Sequence, residues 1–225
     1  MRNHLLHIRN FNDDFLLIRA IHEQTSLTDI GQQIYARQFD FIAELIVTEK
    51  EICVKLNAGF TTAKLALLHQ IKPAEQAKNK SYQLPVYFSE NEDWSTIISA
   101  TGYARDKVIE KLCRTDFSLA MFGFLPGFLY LDGLPPELQV ARKKVPSKYI
   151  KANALAIGGR YLGLYAIDSP GGWQVIGHTP LQVLQKNALP PVPLNLGDTI
   201  RCVSISQTEF DQLLRQSITI IDYNA

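Results

Sequence analysis

Cysteine is scarce: Cys53, Cys113 and Cys202 are the only three in 225 residues. They are far apart, odd in number and form no C-x-x-C pair. That excludes a disulfide framework and a thiolate zinc site, and each thiol is expected as a small buried apolar group. Long apolar runs are missing as well. No segment approaches the ~20 apolar residues of a membrane helix, and the opening Met-Arg-Asn-His-Leu-Leu-His-Ile carries no apolar signal core. Net charge is close to nil, at +1, with Lys and Arg scattered along the chain. The expectation is a soluble cytoplasmic protein that binds neither nucleic acid nor membrane.

The common catalytic signatures are absent too. There is no G-x-x-x-x-G-K-[ST] phosphate loop. Ala156-Ile-Gly-Gly159 with Gly163 does not make a G-x-G-x-x-G fingerprint. No G-x-S-x-G elbow occurs, nor any H-x-x-x-H pair; no metal or biotin site is visible in the sequence. His4 and His7 sit at the N-terminus, His22 precedes the first expected helix, and His69 lies near the end of the second. A histidine at a helix C-terminus gains from the dipole, which is a sufficient structural reason for His69.

What the chain does have is enough apolar material for a real core, 46% against 20% charged. Its length suits one large or two smaller domains. Phe15 to Ala20, Ala43 to Thr48 and Ile52 to Leu56 read as strands, the last two joined by a hairpin at Glu49, Lys50 and Glu51. Thr25 or Ser26 caps a helix with Ile30 and Ile34 on one face. Thr61 or Thr62 caps a second helix with Leu65, Leu67, Leu68 and Ile71. Polar Lys72 to Lys80 reads as a connection, so the expected domains are 1–80 and 81–225.

In the second part, Leu84 to Phe88 is an expected strand. Asp93 is expected to cap a helix carrying Trp94, Ile97 and Ile98, and Val108, Ile109 and Leu112 mark another. Short apolar runs then alternate with Gly and Pro: Leu119 to Phe124, Leu155 to Ile157, Tyr161 to Ala166, Trp173 to Ile176 and Ile200 to Ser204. That pattern argues for a barrel or sandwich. Ser206-Gln-Thr-Glu209 is a capping box opening a last helix, and Ile218 to Ile221 reads as a closing strand. The fold class is α+β: a small α+β domain followed by a β-barrel.

Two glycine-proline segments dominate: Gly123-Phe-Leu-Pro-Gly-Phe-Leu-Tyr-Leu-Asp-Gly-Leu-Pro135 and Ser169-Pro-Gly-Gly-Trp-Gln-Val-Ile-Gly-His-Thr-Pro180. Each sets backbone-bending residues against large aromatics, which must be buried or must bind something. Trp173 reads as core or as a ligand platform. His178, inside the second segment, is either a turn residue or a proton-transfer group, with the Thr179 hydroxyl beside it. Asp132 and Asp168 read as Asx-type turns. Arg142 with Lys143, Lys144, Lys148 and Lys151 is a solvated loop or an anion site.

These segments resemble the family of 5-oxoprolinase B-type subunits, also called allophanate hydrolase subunit 1 or carboxyltransferase domain subdomain C/D. The match rests on Phe122-Gly-Phe-Leu-Pro-Gly-Phe-Leu-Tyr-Leu, the following Gly-Leu-Pro, Ser-Pro-Gly-Gly-Trp and Ile-Gly-x-Thr-Pro, in order and spacing. Ala154-Leu-Ala-Ile-Gly-Gly159 and Gly197-Asp198-Thr-Ile-Arg201 fit the same pattern. The resemblance is strong from about 117 to 205 and weak before it. It implies a cyclophilin-like barrel in residues 81–225. It also implies a protein that cleaves 5-oxoproline to glutamate together with a homologous barrel partner (the C-type subunit) and an A-type one. ATP would be used by the complex. An alternative branch, the sporulation inhibitor KipI, acts on a sensor histidine kinase without chemistry. The implied groove is lined by Phe124, Pro126, Gly127, Gly172, Trp173 and Thr179, with Arg142 holding a carboxylate and His178 catalytic. His178 stands where the family carries arginine, and Leu112 where it often carries histidine.

Overall fold

The computed structural model describes residues 5–22, 25–48, 50–72, 79–185, 188 and 191–225. The chain divides into two compact units, Met1–Lys78 and Asn79–Ala225.

The first unit is a four-stranded antiparallel sheet with helices. Strands β1 (Leu6–Asn12), β2 (Phe15–Ala20), β3 (Ile42–Val47) and β4 (Ile52–Leu56) lie in the order β1-β2-β4-β3. Helix α1 (Leu27–Ala36) begins where the Ser26 hydroxyl accepts from the Asp29 backbone N–H. Ile30 and Ile34 on its inner face meet Leu16, Ile18, Ile52 and Val54 of the sheet. The α1 periodicity and strand alternation were therefore sufficient to place this core. The second helix is shorter than expected. A 3₁₀ turn over Thr62–Lys64 runs into α2 (Leu65–His69), with no side-chain cap and with Leu67 exposed. Strand β1 was not foreseen. Glu49 of the hairpin and residues 73–78 of the expected connection lie outside the described residues, as do 1–4.

The second unit is built on a seven-stranded sheet. Its strands are β5 (Ser81–Val86), β6 (Asp116–Phe122), β7 (Leu129–Asp132), β9 (Ala154–Gly158), β10 (Tyr161–Leu164), β12 (Gln174–His178) and β13 (Thr199–Ser204). A separate ribbon pairs β8 (Ser147–Ile150) with β11 (Ser169–Gly171). The sheet order is β12-β9-β10-β7-β6-β13-β5, with only β13 and β5 parallel. It curls into a half-barrel whose two edges meet. Tyr87, directly after β5, exchanges two backbone hydrogen bonds with His178 of β12, at 2.9 and 3.0 Å.

Strand alternation gives this sheet two different faces. Leu129, Leu131, Leu155, Ile157, Leu162 and Leu164 point into the main core, with Trp94 and Ile97 of α3 (Trp94–Thr101) and Val108 and Leu112 of α4 (Arg105–Arg114). The opposite face is small: Ala154, Ala156, Gly158 and Gly163 leave a shallow floor that aromatic rings fill.

Three expectations fail here. Ile218 to Ile221 is not a strand. Thr219 forms a capping box with Asp222 and opens α6 (Ile220–Tyr223), after α5 (Gln207–Gln216). A four-residue run with three isoleucines reads equally as strand or helix, and the reciprocal cap at Thr219 decides. Asp132 is not a turn residue; it ends β7 and pairs with Arg160 at 3.2 Å. Asp93 occupies the N-cap position of α3 but makes no capping bond.

Candidate functional site

The first glycine-proline segment is a pair of tight turns between β6 and β7. Leu125 N–H donates to Gly123 O at 2.7 Å across Phe124, whose φ is 62°. That is the rare γ-turn form, strained for a bulky residue. Phe128 N–H then donates to Leu125 O at 3.1 Å across Pro126 and Gly127, the latter with φ of 75°. Proline followed by a positive-φ glycine suits a type II turn. Any side chain at position 127 would press on Ala166 and Leu184, at 2.9 and 3.0 Å. Pro126 and Gly127 therefore hold the turn that presents Phe124.

The Phe124 ring is 60% exposed. It stands edge-on to Phe128 and Tyr165, at 5.6 and 6.3 Å between centroids. Phe128 in turn meets Trp173 edge-on at 5.4 Å, and Tyr130 meets Trp173 at 5.5 Å. Such edge-on pairs are the favoured aromatic geometry. Trp173 is only 5% exposed; its indole lies across Gly158 and Gly163, where any Cβ would collide with the ring. The register explains this: Tyr130, Gly163, Ala156 and Val175 form one cross-strand row on the small face. Burial raises the Tyr165 phenol, and the Trp173 backbone N–H and the Arg142 charge pull the other way. Burial also raises Tyr130, again against Arg142.

Arg142 covers the outer side of this cluster. Its guanidinium carbon lies 5.3 Å from the Trp173 ring centre, a cation–π contact on an exposed side chain. Among the described residues no carboxylate pairs with it. Its backbone is held on both sides. Gln174 Nε2 donates to Ala141 O at 3.1 Å, and Lys143 N–H donates to Gly172 O at 2.6 Å. Lys143 Nζ reaches Asp93 Oδ2 at 2.6 Å and Ser147 Oγ at 2.9 Å.

The remaining candidates lie apart from the rings. His178 Nδ1 is 3.3 Å from Glu92 Oε1, with about a fifth of each side chain exposed. Thr179 is fully enclosed; its hydroxyl accepts weakly from Leu181 N–H at 3.4 Å and its own N–H donates to Asn153 O at 2.9 Å. The structure thus brings Phe124, Gly172, Trp173 and Arg142 to one cluster, with Pro126 and Gly127 shaping its rim. His178 faces Glu92, and Thr179 is part of the framework. Reading the sequence missed Tyr165, Asp93 and Glu92. Asp93 is about 50 residues from Lys143 and 82 from Val175, so no local spacing signals their meeting.

An exposed guanidinium with no carboxylate partner among the described residues keeps donors free that match the geometry of a carboxylate. No group of three or more His, Cys, Asp or Glu among the described residues is arranged for a metal. The three thiols are free, and burial pushes the Cys202 thiol far up, so it is inert. A polar surface recess of about 580 Å³, lined by Tyr82, Asp116, Thr199 and Arg201, contains none of the groove residues expected from the sequence, although Thr199 and Arg201 belong to the Gly-Asp-Thr-Ile-Arg motif. No helix among the described residues is long and apolar enough to cross a membrane.

The family model for the carboxyltransferase domain, subdomain C and D, matches residues 6–194. The chain belongs to this family. As a carboxyltransferase-domain protein it is 31% identical over 128 residues to the B-type 5-oxoprolinase subunit of Haemophilus influenzae, covering 56% of this chain and 60% of that one. It is 29% identical over 152 residues to the B-type 5-oxoprolinase subunit of Bacillus subtilis, covering 67% and 63%. The chain spans less than two thirds of the length of these curated relatives. The crystal structure of the Kluyveromyces lactis urea amidolyase superposes with a TM-score of 0.69 at 17% identity, over 96% of this chain and 16% of that one. That likeness concerns the fold.

Proposed function

We propose that this carboxyltransferase-domain chain is the B-type subunit of an ATP-dependent 5-oxoprolinase, opening the ring amide of 5-oxoproline to glutamate together with partner proteins. The observation that carries the proposal is the unpaired Arg142 guanidinium on Trp173. It suits the carboxylate of a small cyclic amide whose ring would rest on the aromatic rim. The two relatives named as B-type 5-oxoprolinase subunits support the same reaction class.

In this reading the curled sheet is a cyclophilin-like barrel, and the protein works in the cytoplasm. His178, oriented by Glu92, donates a hydrogen bond or moves a proton at the ring amide. ATP is used at the level of the complex, since the chain has no phosphate loop. The partners are a homologous barrel protein of the C type and an A-type protein. The exposed apolar side chains Phe124, Val145 (81% exposed) and Tyr149 (63%) support a face that docks against one of them. Co-expression of the three proteins, followed by measurement of phosphate release on adding 5-oxoproline, tests the reading. Release that needs all three supports it. An inert complex, with this chain instead slowing autophosphorylation of a histidine kinase, would replace it with the regulatory alternative.

A further inference from the structure

Asp93 stands at a position where its carboxylate would normally accept from the first turn of α3. It makes no such bond. Oδ2 instead receives the Val175 N–H at 2.7 Å and Lys143 Nζ at 2.6 Å, while the Asp93 N–H donates to Val175 O at 3.0 Å. One residue thus caps the open edge of β12 and anchors the side chain next to Arg142. Lys143 is drawn in from both ends, by its N–H to Gly172 O and by its Nζ to Asp93 and Ser147. Gly172 directly precedes Trp173, so these bonds tie the guanidinium-bearing segment and the indole-bearing turn to one carboxylate. With less than a third of either side chain exposed, the ion pair is shielded more than a surface pair.

We infer that Asp93 is the positioning residue of the carboxylate site: through Lys143 it holds Arg142 over Trp173. It touches no ligand itself. The inference rests on the proposed role of Arg142, but its first readout needs no ligand. Trp173 and Trp94 are the only tryptophans, so a Trp94→Phe background isolates the indole beneath Arg142. In that background the Arg142 side-chain proton shifts report its seat on the ring by NMR.

Asp93→Asn keeps an acceptor for the Val175 N–H but removes the charge that binds Lys143; Lys143→Gln removes the other partner. Each is expected to move the Arg142 resonances toward random-coil values. Each should also weaken 5-oxoproline, raising KM in the reconstituted complex about fivefold or more with kcat little changed. The swap Asp93→Lys with Lys143→Asp should recover part of both effects. If Asp93→Asn does not fold, Lys143→Gln alone decides. Unchanged Arg142 shifts in the folded variants overturn the inference. Displaced shifts in a protein to which 5-oxoproline never binds would uphold Asp93 and reject the proposed substrate instead.

Discussion

The Arg142 guanidinium carbon sits 5.3 Å from the Trp173 ring centre, while the indole beneath it is almost fully buried. The ring fixes the plane of a side chain that otherwise faces solvent, and the free edge of the fork can grip a carboxylate with two parallel bonds. Arg142→Lys keeps the charge but loses the fork and most of the stacking. It should weaken 5-oxoproline binding roughly tenfold, measured by calorimetry on the assembled complex, with little change in thermal stability. Equal affinity in the lysine variant would show that only charge matters there.

His178 provides a separate test, because its Nδ1 lies 3.3 Å from the Glu92 carboxylate. His178→Ala should lower kcat of the complex by about 10²-fold or more if the imidazole moves a proton, with a smaller effect on KM. His178→Arg introduces the residue that the Ile-Gly-x-Thr-Pro resemblance implies for this place and should retain binding. Full turnover in the alanine variant would remove His178 from the chemistry.

The glycines under Trp173 are a matter of packing. Gly163→Ala puts a methyl group into the indole and the Phe128 ring, neither of which has a free direction to move. A loss of about 1–3 kcal/mol in unfolding free energy is expected, read from urea denaturation. Gly159→Ala, at a position with open space but φ of 65°, should cost less, on the order of 1 kcal/mol. A Gly163→Ala loss no larger than that of Gly159→Ala would show that the indole and the Phe128 ring can move aside.

Acid stability has an identifiable contributor. The Arg201 guanidinium bonds Asp116 at 2.8 and 2.7 Å and holds its carboxyl below the usual value of 3.8. A depressed folded-state value means the unfolded chain binds more protons in the window between the two values, so stability rises with pH there. The contribution is complete above the unfolded value and is lost as pH falls through the folded one. Asp116→Asn should flatten the acid limb of a stability–pH curve as pH falls below the ordinary aspartate range, with little change in shape near neutrality. An unchanged slope would assign the acid limb to other carboxylates, such as Asp168, which Ala152 N–H and the Tyr149 hydroxyl hold down in the same way.

The sequence carried the strand and helix periods well, because each element shows one face to one core. Ile30 and Ile34, or Val108 and Leu112, announce their helices, and Ser206 with Glu209 announces a cap. The two glycine-proline segments were also legible as shaped structure, yet the role of each glycine was not. Gly127 serves a turn, whereas Gly158 and Gly163 make room for a ring supplied by the turn before β12. That distinction depends on register, which spacing along one strand does not contain. Thr179 looked like a ligand group because it follows His178; burial made it part of the frame instead. Asp93 looked like a helix cap because local sequence predicts the local partner, and a distant lysine took the carboxylate.

The most direct test of the account is 5-oxoproline-dependent ATP hydrolysis by the reconstituted complex, with this chain wild type, carrying Arg142→Ala, or left out. The account predicts turnover only when the chain is present, and a KM for 5-oxoproline raised about tenfold or more by Arg142→Ala. Hydrolysis that proceeds equally without the chain, or with an unchanged KM in the Arg142 variant, would contradict it.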